Sequence, residues 1–61
     1  MTISTLRHNL GLTQQQVADR AEITLRMYQR FESGERALRH ATVVTALAIA
    51  AALHVDLQDI I

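Results

Sequence analysis

The chain has 61 residues, 49% of them hydrophobic, and its six basic side chains balance six acidic ones, which leaves a formal net charge of zero. A chain of this length accommodates one domain, which buries only about 60% of the surface that it exposes when unfolded, and we expect a single domain over residues 1–61. Cysteine is absent, which excludes disulfides, thiolate metal sites and a cysteine nucleophile. A net charge of zero by itself argues against a strongly basic nucleic-acid binder.

The charges are unevenly distributed along the chain. Every cation is an arginine, and residues 20–40 hold five of the six arginines against three glutamates, whereas residues 41–61 hold only two aspartates. A basic middle followed by an acidic end is typical of a surface that faces an anion. Taken alone, the same distribution is also explained by ordinary surface charges.

Helix start and stop signals predict five helices and no strands. The N-cap residues Thr13, Thr24 and Asp56 are each flanked by two apolar residues at the spacing of a hydrophobic staple. Gly11 and Gly34 stand where helices should end, because glycine adopts the left-handed conformation without penalty. No stretch alternates with period two, so strands are not expected. The predicted helices span residues 2–10, 14–21, 25–32, 42–53 and 57–61, and the last is short enough to be a single turn.

The second and third predicted helices are joined by only three residues, 22–24. Thr13 and Gln16 form a predicted capping box at the start of the second helix. Apolar side chains of both helices can point to one side, namely Val17, Ala18, Ala21, Ile23, Tyr28 and Phe31. A short turn with a buried isoleucine makes the helices cross steeply, so the third helix projects with its other face free. That face carries Leu25, Arg26, Gln29 and Arg30.

The residue types on this free face suit duplex DNA. An α-helix fits the major groove of B-DNA, where arginine makes bidentate hydrogen bonds to guanine and glutamine makes them to adenine. Arg26 and Arg30 are also explained as ordinary solvated arginines of a surface helix. Tyr28 and Phe31 can be interpreted as a stacking platform for single-stranded nucleic acid, but their helical spacing favours core packing.

The segment LTQQQVADRAEITLRMYQRFESGER, residues 12–36, resembles the helix-turn-helix of phage repressor and Cro-type transcriptional regulators. The flanking segments LRHNLG and ALHVDLQDII extend the resemblance over roughly residues 5–34 and 43–61. It implies an all-α, five-helix, lambda-repressor-like DNA-binding domain in which helices 2 and 3 form the helix-turn-helix, with its core at about 14–32. It also implies a cytoplasmic protein of bacterial or phage origin.

The resemblance assigns roles to individual positions. Base contacts fall on Leu25, Arg26, Gln29 and Arg30. Phosphate contacts fall on Gln14, Gln15, Thr24, Arg36 and Arg39, and Gln14 also braces the recognition helix. A partly buried salt bridge between helices 1 and 3 falls on Arg7 and Glu32.

The chain departs from the family pattern at three places. Leu25 has no hydrogen-bonding group and can meet only a thymine methyl. Glu22 stands in the turn where glycine is common, so we expect mild strain there from a positive φ. The loop after Gly34 is about three residues longer than usual, which weakens the roles assigned to Arg36 and Arg39.

Two other kinds of site find little support. His8, His40 and His54 are too far apart to form a local ligand motif, and without cysteine we expect no metal site. Nothing arranges a nucleophile beside a base, and the chain is small for a substrate pocket. We therefore expect no enzymatic activity and no small-molecule cofactor.

The alanine-rich stretch 46–53 predicts a helix that is apolar on all sides and too short to cross a bilayer. We expect one face to pack under the helix-turn-helix through Val43, Leu47, Ala50 and Leu53. The opposite face lacks charges and, with the C-terminal isoleucines, predicts a homodimer contact formed by Val44, Ala48, Ala51, Ile60 and Ile61. The alternative is that alanine is simply tolerated on an exposed helix.

Together these observations predict a transcriptional regulator, with repression favoured, that binds a palindromic double-stranded DNA operator as a homodimer. A two-fold dimer reading half-sites roughly 34 Å apart supplies the selectivity that one domain lacks. The alternative is a protein-binding module, for example an antitoxin-like subunit that neutralises a protein partner through the alanine-rich helix. We expect no membrane association in either case.

Overall fold

The computed structural model describes residues 2–61, which form four α-helices and two short 3₁₀ turns without a strand. The α-helices are α1 (Ile3–Asn9), α2 (Gln14–Ala21), α3 (Leu25–Ser33) and α4 (Val43–Ala52). The 3₁₀ turns are Leu38–His40, which had no counterpart among the predicted elements, and Leu57–Asp59, which we name the C-terminal turn. The all-α prediction is confirmed, and the first four predicted helices agree with α1 to α4 within one residue at each end.

The predicted fifth helix was wrong, because residues 57–61 contain only the three-residue C-terminal turn. Its hydrogen bonds span three residues, from the amide of Asp59 to the carbonyl of Asp56 at 2.9 Å and from Ile60 to Leu57 at 3.1 Å. Starting an α-helix fixes several backbone angles for a single hydrogen bond, so a segment of this length gains too little from propagation. A 3₁₀ turn needs fewer residues.

A threonine is the N-cap residue of each of the four α-helices in the described part of the chain. The hydroxyls of Thr2, Thr13, Thr24 and Thr42 each accept a hydrogen bond from the amide three residues later. At α2 the predicted capping box is confirmed, since Gln16 also accepts a hydrogen bond from the Thr13 amide at 2.8 Å. These caps satisfy backbone donors that a helix start leaves free.

Left-handed residues end the helices and set the directions of the connections. Gly11 and Gly34 have φ values of +70° and +82°, as expected of glycines that stop a helix. Glu22 has φ +58°, which confirms the expected left-handed residue in the turn between α2 and α3. His54 adopts the same φ of +58° after α4, and no feature of the sequence predicted it.

The core lies where α2 packs against both α3 and α4. All the residues that were expected on the inner side of α2 and α3 either belong to this core or pack against it. Tyr28 is fully buried and Phe31 is nearly so, which confirms core packing and leaves neither ring as a stacking platform. The buried cluster consists of Ile3, Val17, Ala18, Ala21, Tyr28, Phe31, Ile49, Ala52 and Leu53.

The predicted inner face of α4 was wrong in two of its four residues. Val43 is 67% exposed and Leu47 is 49% exposed, whereas Ala50 and Leu53 are buried as expected. The buried residues here are Ala46, Ile49, Ala50, Ala52 and Leu53, and all of them except Ala52 follow one stripe of the helical repeat. Because every side of this helix is apolar, the sequence pattern does not reveal which side faces inward. Neither α4 nor any other helix within residues 2–61 is long and apolar enough to span a bilayer.

Candidate nucleic-acid interface

The connection between α2 and α3 is short and closely bonded. Glu22 takes the left-handed conformation, and the Ile23 amide donates to the Ala18 carbonyl at 3.0 Å. The Ile23 side chain packs against the core, while the Thr24 hydroxyl caps α3 by accepting from the Met27 amide at 3.1 Å. These contacts fix α3 relative to α2 without covering the opposite side of α3.

The free face of α3, defined by Leu25, Arg26, Gln29 and Arg30, is open to solvent. Arg26 and Gln29 are exposed, and Leu25 and Arg30 are partly exposed. Three of these side chains line a shallow surface depression together with Ser33 and Glu35. The structure therefore brings the predicted base-contacting residues together on one accessible surface.

Glu35 is a residue of this surface that sequence reasoning missed. Its carboxylate lies 4.0 Å from the Arg30 Nε, and the Arg30 and Glu35 side chains are 42% and 68% exposed. The Glu35 amide donates to the Ser33 hydroxyl at 3.3 Å, and that hydroxyl donates to the Arg30 carbonyl at 3.1 Å. The sequence alone does not predict that Glu35 lies near Arg30, because Glu35 follows the end of α3 and its position depends on the turn at Gly34.

The Arg7 and Glu32 side chains form an ion pair that joins α1 to α3. The Arg7 Nε donates to Glu32 Oε2 at 2.6 Å, and Nη2 donates to Oε1 at 3.3 Å. The guanidinium also donates to the Leu12 carbonyl at 2.9 Å. The two side chains are only 11% and 9% exposed, so this is the partly buried fork that the resemblance implied.

The ion pair shifts the pKa values of both its residues in the direction that keeps them charged. Burial acts to raise the pKa of Glu32, but the Arg7 guanidinium and the other donors around the carboxylate outweigh it and hold the pKa below its ordinary value of 4.5. The hydrogen bond to Glu32 raises the pKa of Arg7. Burial, and then the nearby Glu32 carboxylate, raise the pKa of Tyr28, whose hydroxyl makes no hydrogen bond of standard geometry within residues 2–61. At neutral pH the pair is therefore fully charged beside a neutral phenol.

Gln14 connects this ion pair to the free face of α3. Its Nε2 donates to Glu32 Oε1 at 3.0 Å, and its Oε1 accepts from Gln29 Nε2 at 3.2 Å. Gln14 thus braces α3 through two side-chain hydrogen bonds, at the start of α2.

The remaining residues with predicted phosphate roles are scattered over the surface. Gln15 is exposed and donates to Asp19 at 2.8 Å, and Thr24 caps α3. Arg36 lines a different depression, beside Phe31, and Arg39 lies in the first 3₁₀ turn. The Arg36 amide donates to the Arg30 carbonyl at 3.1 Å, but the described side chains that line the depression at the free face of α3 do not include Arg36 or Arg39.

The residues predicted for a dimer contact divide into two groups. Val44 is 78% exposed and Ile61 is 62% exposed, and Ala51 is also exposed. Ala48 and Ile60 instead pack partly buried against the core. Val43 and Leu47, which were expected to face inward, are exposed on the same helix. We name the four exposed residues Val43, Val44, Leu47 and Ala51 the α4 apolar face.

A capped helix, a three-residue turn and a second helix with an open polar face define a helix-turn-helix domain. A helix-turn-helix family model matches residues 3–60. The chain therefore belongs to this family of lambda repressor and Cro-like DNA-binding domains. Neither the curated proteins nor the solved structures gave a significant match.

Proposed function

We propose that the protein is a sequence-specific transcriptional regulator that inserts α3 into the major groove of double-stranded DNA. Family membership supplies DNA as the partner. The observation that carries the finer proposal is the free face of α3, where arginine and glutamine side chains stand together, exposed or partly exposed, on a helix joined to α1 by a partly buried ion pair.

The residues of the free face suit different base edges. Arg26 and Arg30 carry guanidinium groups that match the two acceptors of guanine, and Gln29 carries an amide that matches adenine. Leu25 stands in the first turn of α3 and can contact a thymine methyl. Phosphate contacts from Gln15, Thr24 and the arginines of the following loop add affinity that does not depend on sequence.

A second copy of the chain is the partner that we propose for the α4 apolar face. One helix-turn-helix reads too few base pairs for selective binding, and a two-fold dimer doubles the site. The face contains Val43, Val44 and Leu47, which are large apolar side chains between 49% and 78% exposed. Removing such side chains from water supplies a driving force for self-association.

Repression is the regulatory outcome that this arrangement favours. A domain bound at a promoter excludes other proteins from the same stretch of DNA, so repression requires no activity beyond binding. Activation needs an additional productive contact with the transcription machinery.

Binding to labelled duplex DNA tests the proposal directly. The protein should shift a random duplex at low salt, release it as salt is raised, and retain a selected operator longest. Arg26→Ala should weaken operator binding roughly five- to 150-fold and relax the preference at one base pair. Arg20→Ala is the matched control, because Arg20 lies beside Ala51, Ala52 and His54, away from the free face.

The proposed reading face is refuted if Arg26→Ala and Arg20→Ala leave operator affinity and base preference equally intact. Complete absence of a shift at low salt would refute DNA binding itself. That second result would favour the other candidate function, a module that binds a protein partner through the α4 apolar face, as an antitoxin-like subunit does. Its supporting observation is the exposure of Val43 and Val44.

A further inference from the structure

We propose that the partly buried Arg7–Glu32 pair orients the side-chain amide of Gln29 through Gln14, so that Gln29 selects adenine and rejects guanine. This inference rests on the proposed function, because it concerns the base that the free face of α3 reads. Gln14 is a positioning residue in this scheme, since it acts on the base through Gln29. The four side chains form one continuous series of hydrogen bonds from α1 to the surface of α3.

The hydrogen bond between Gln14 and Glu32 has a fixed direction. The ionised Glu32 carboxylate can only accept hydrogen bonds, and Arg7 keeps it ionised. Gln14 must therefore turn its NH₂ group toward Oε1, at 3.0 Å. The reversed amide would place a carbonyl oxygen against a carboxylate oxygen in a partly buried site, where repulsion is weakly screened.

Gln14 in turn fixes the orientation of the Gln29 amide at the surface. With its NH₂ group on Glu32, Gln14 presents its carbonyl oxygen to Gln29, 3.2 Å from Nε2. A reversed Gln29 amide would again place two oxygens together. The orientation of an exposed amide is therefore determined by a charge that lies two side chains away, inside the protein.

The Gln29 amide keeps two groups that can hydrogen-bond to a base. One of its two N–H groups is used by Gln14, which leaves one N–H donor and the carbonyl acceptor, and no donor within residues 2–61 contacts that oxygen. Adenine offers the complementary pair in the major groove, an acceptor at N7 and a donor at N6. Guanine offers two acceptors, O6 and N7, so the Gln29 carbonyl oxygen would face another oxygen, with no hydrogen between them to form a hydrogen bond. A glutamine free to rotate could instead offer its whole NH₂ group to guanine.

The chain supplies a matched pair of variants for the test. Gln14→Met removes the amide that orients Gln29 and keeps a side chain of similar length. Gln15→Met makes the same chemical change on the next residue, whose side-chain amide, among residues 2–61, hydrogen-bonds only to Asp19. An operator selected from a random duplex pool, with each base pair then replaced in turn, gives the base preferences by fluorescence anisotropy. Gln29→Met identifies the base pair that Gln29 reads.

At that base pair the wild-type protein should prefer adenine over guanine roughly five- to 150-fold. Gln14→Met should reduce this ratio to within about twofold and leave the ratios at other base pairs unchanged, since uncoupled sites act independently. Gln15→Met removes only a proposed phosphate contact, so it should lower the affinity for all duplexes by one factor and preserve every ratio. A purely structural role of Gln14 would lower the affinity for all sequences by one factor, and that outcome would overturn the inference while leaving DNA binding in place.

A measurement on the unchanged, free protein guards against a Gln14→Met variant that fails to fold. The two side-chain amide protons of Gln29 should differ in NMR chemical shift from those of Gln58, which is exposed in the C-terminal turn. Gln29 amide signals identical to those of Gln58 would overturn the inference. Absence of any duplex binding at low salt would overturn the proposed function and this inference together.

Discussion

Replacing Glu32 with glutamine should destabilise the fold severely, although it changes only one heavy atom. The Glu32 carboxylate accepts three hydrogen bonds, two from Arg7 and one from Gln14. Glutamine keeps a single acceptor oxygen, so at least one donor must face its NH₂ group. The guanidinium of Arg7, only 11% exposed, would then keep its charge without a counter-charge.

The magnitude follows from these losses. Breaking a buried ion pair from one side costs about 3–5 kcal/mol, and the remaining exposure of this pair favours the lower limit, about 3 kcal/mol. A domain of this length has a total stability of roughly 3–9 kcal/mol. We therefore expect Glu32→Gln to lower the melting temperature by roughly 12–24 °C, or to leave the chain partly unfolded at 25 °C.

Urea and thermal unfolding, followed by far-UV circular dichroism at pH 7, measure this loss. Glu35→Gln is the matched control, because it makes the same change in an exposed pair whose nearest atoms lie 4.0 Å apart. Such a pair contributes at most about 1 kcal/mol. Equal unfolding midpoints for the two variants would refute the reasoning that burial makes the Arg7–Glu32 pair structurally important.

The same pair predicts how stability depends on pH. The pKa of Glu32 is lower in the folded chain than its ordinary value of 4.5, so the unfolded chain takes up this proton first as the pH falls. The contribution of the carboxylate is fully present above about pH 4.5 and is lost as the pH falls through the lower, folded-state pKa. The stability difference between wild type and Glu32→Gln should therefore shrink below pH 4.5. A difference that stays constant to pH 2 would contradict this assignment.

Three further predictions concern other parts of the chain. Arg36→Ala should weaken all duplexes alike and reduce the slope of log K against log salt by about one, and an unchanged slope would remove Arg36 from the DNA interface. Glu22→Gly should raise the free energy of unfolding by roughly 0.5–1 kcal/mol in urea titrations, because it relieves the positive φ of the turn; a loss of stability would contradict that. Leu47→Glu should leave the circular dichroism spectrum unchanged but convert the proposed dimer into a monomer, as measured by sedimentation. If the variant still sediments as a dimer, the dimer contact lies elsewhere.

The parts of the fold that the sequence predicts are those determined by local chemistry. Thr13 and Thr24 cap their helices through hydrogen bonds to residues three positions away, and Glu22 turns the chain within a three-residue connection. Each of these interactions joins residues only a few positions apart, so the local sequence is enough to predict it. The boundaries of α2 and α3 were predictable for this reason.

The inward side of α4 and the nature of the last turn were not predictable in the same way. A helix made of valine, alanine, leucine and isoleucine with one threonine has no polar side to mark the solvent, so its rotation is set by what packs against it. The C-terminal turn packs against α4, and its segment is too short for an α-helix to propagate. For α4 the deciding interaction joins residues that lie far apart in sequence, because α4 packs against α2.

The candidate site shows the same division. The types of residue on the free face were readable from helical spacing, whereas the Arg7–Glu32 pair was anticipated only through the family resemblance. The hydrogen bond between Gln14 and Gln29 joins residues 15 positions apart on two helices. The spacing of residues within one helix does not predict this hydrogen bond, because it depends on how closely α2 and α3 approach each other.

The zero net charge of the chain does not conflict with a DNA partner, because the local charge of a surface differs from the total, although Glu35 is one acidic side chain that stands on the free face of α3 beside Arg30. Glu32 is neutralised inside the protein by Arg7, which comes from outside the basic stretch. With Glu32 set aside, residues 20–40 keep five arginines against Glu22 and Glu35, so the excess of positive charge in this stretch rises from two to three. The balancing aspartates of residues 41–61 stand at the C-terminal turn. What a phosphate backbone meets is the local charge of the surface that approaches it, since more distant exposed charges are screened beyond about 10 Å at 0.1 M salt.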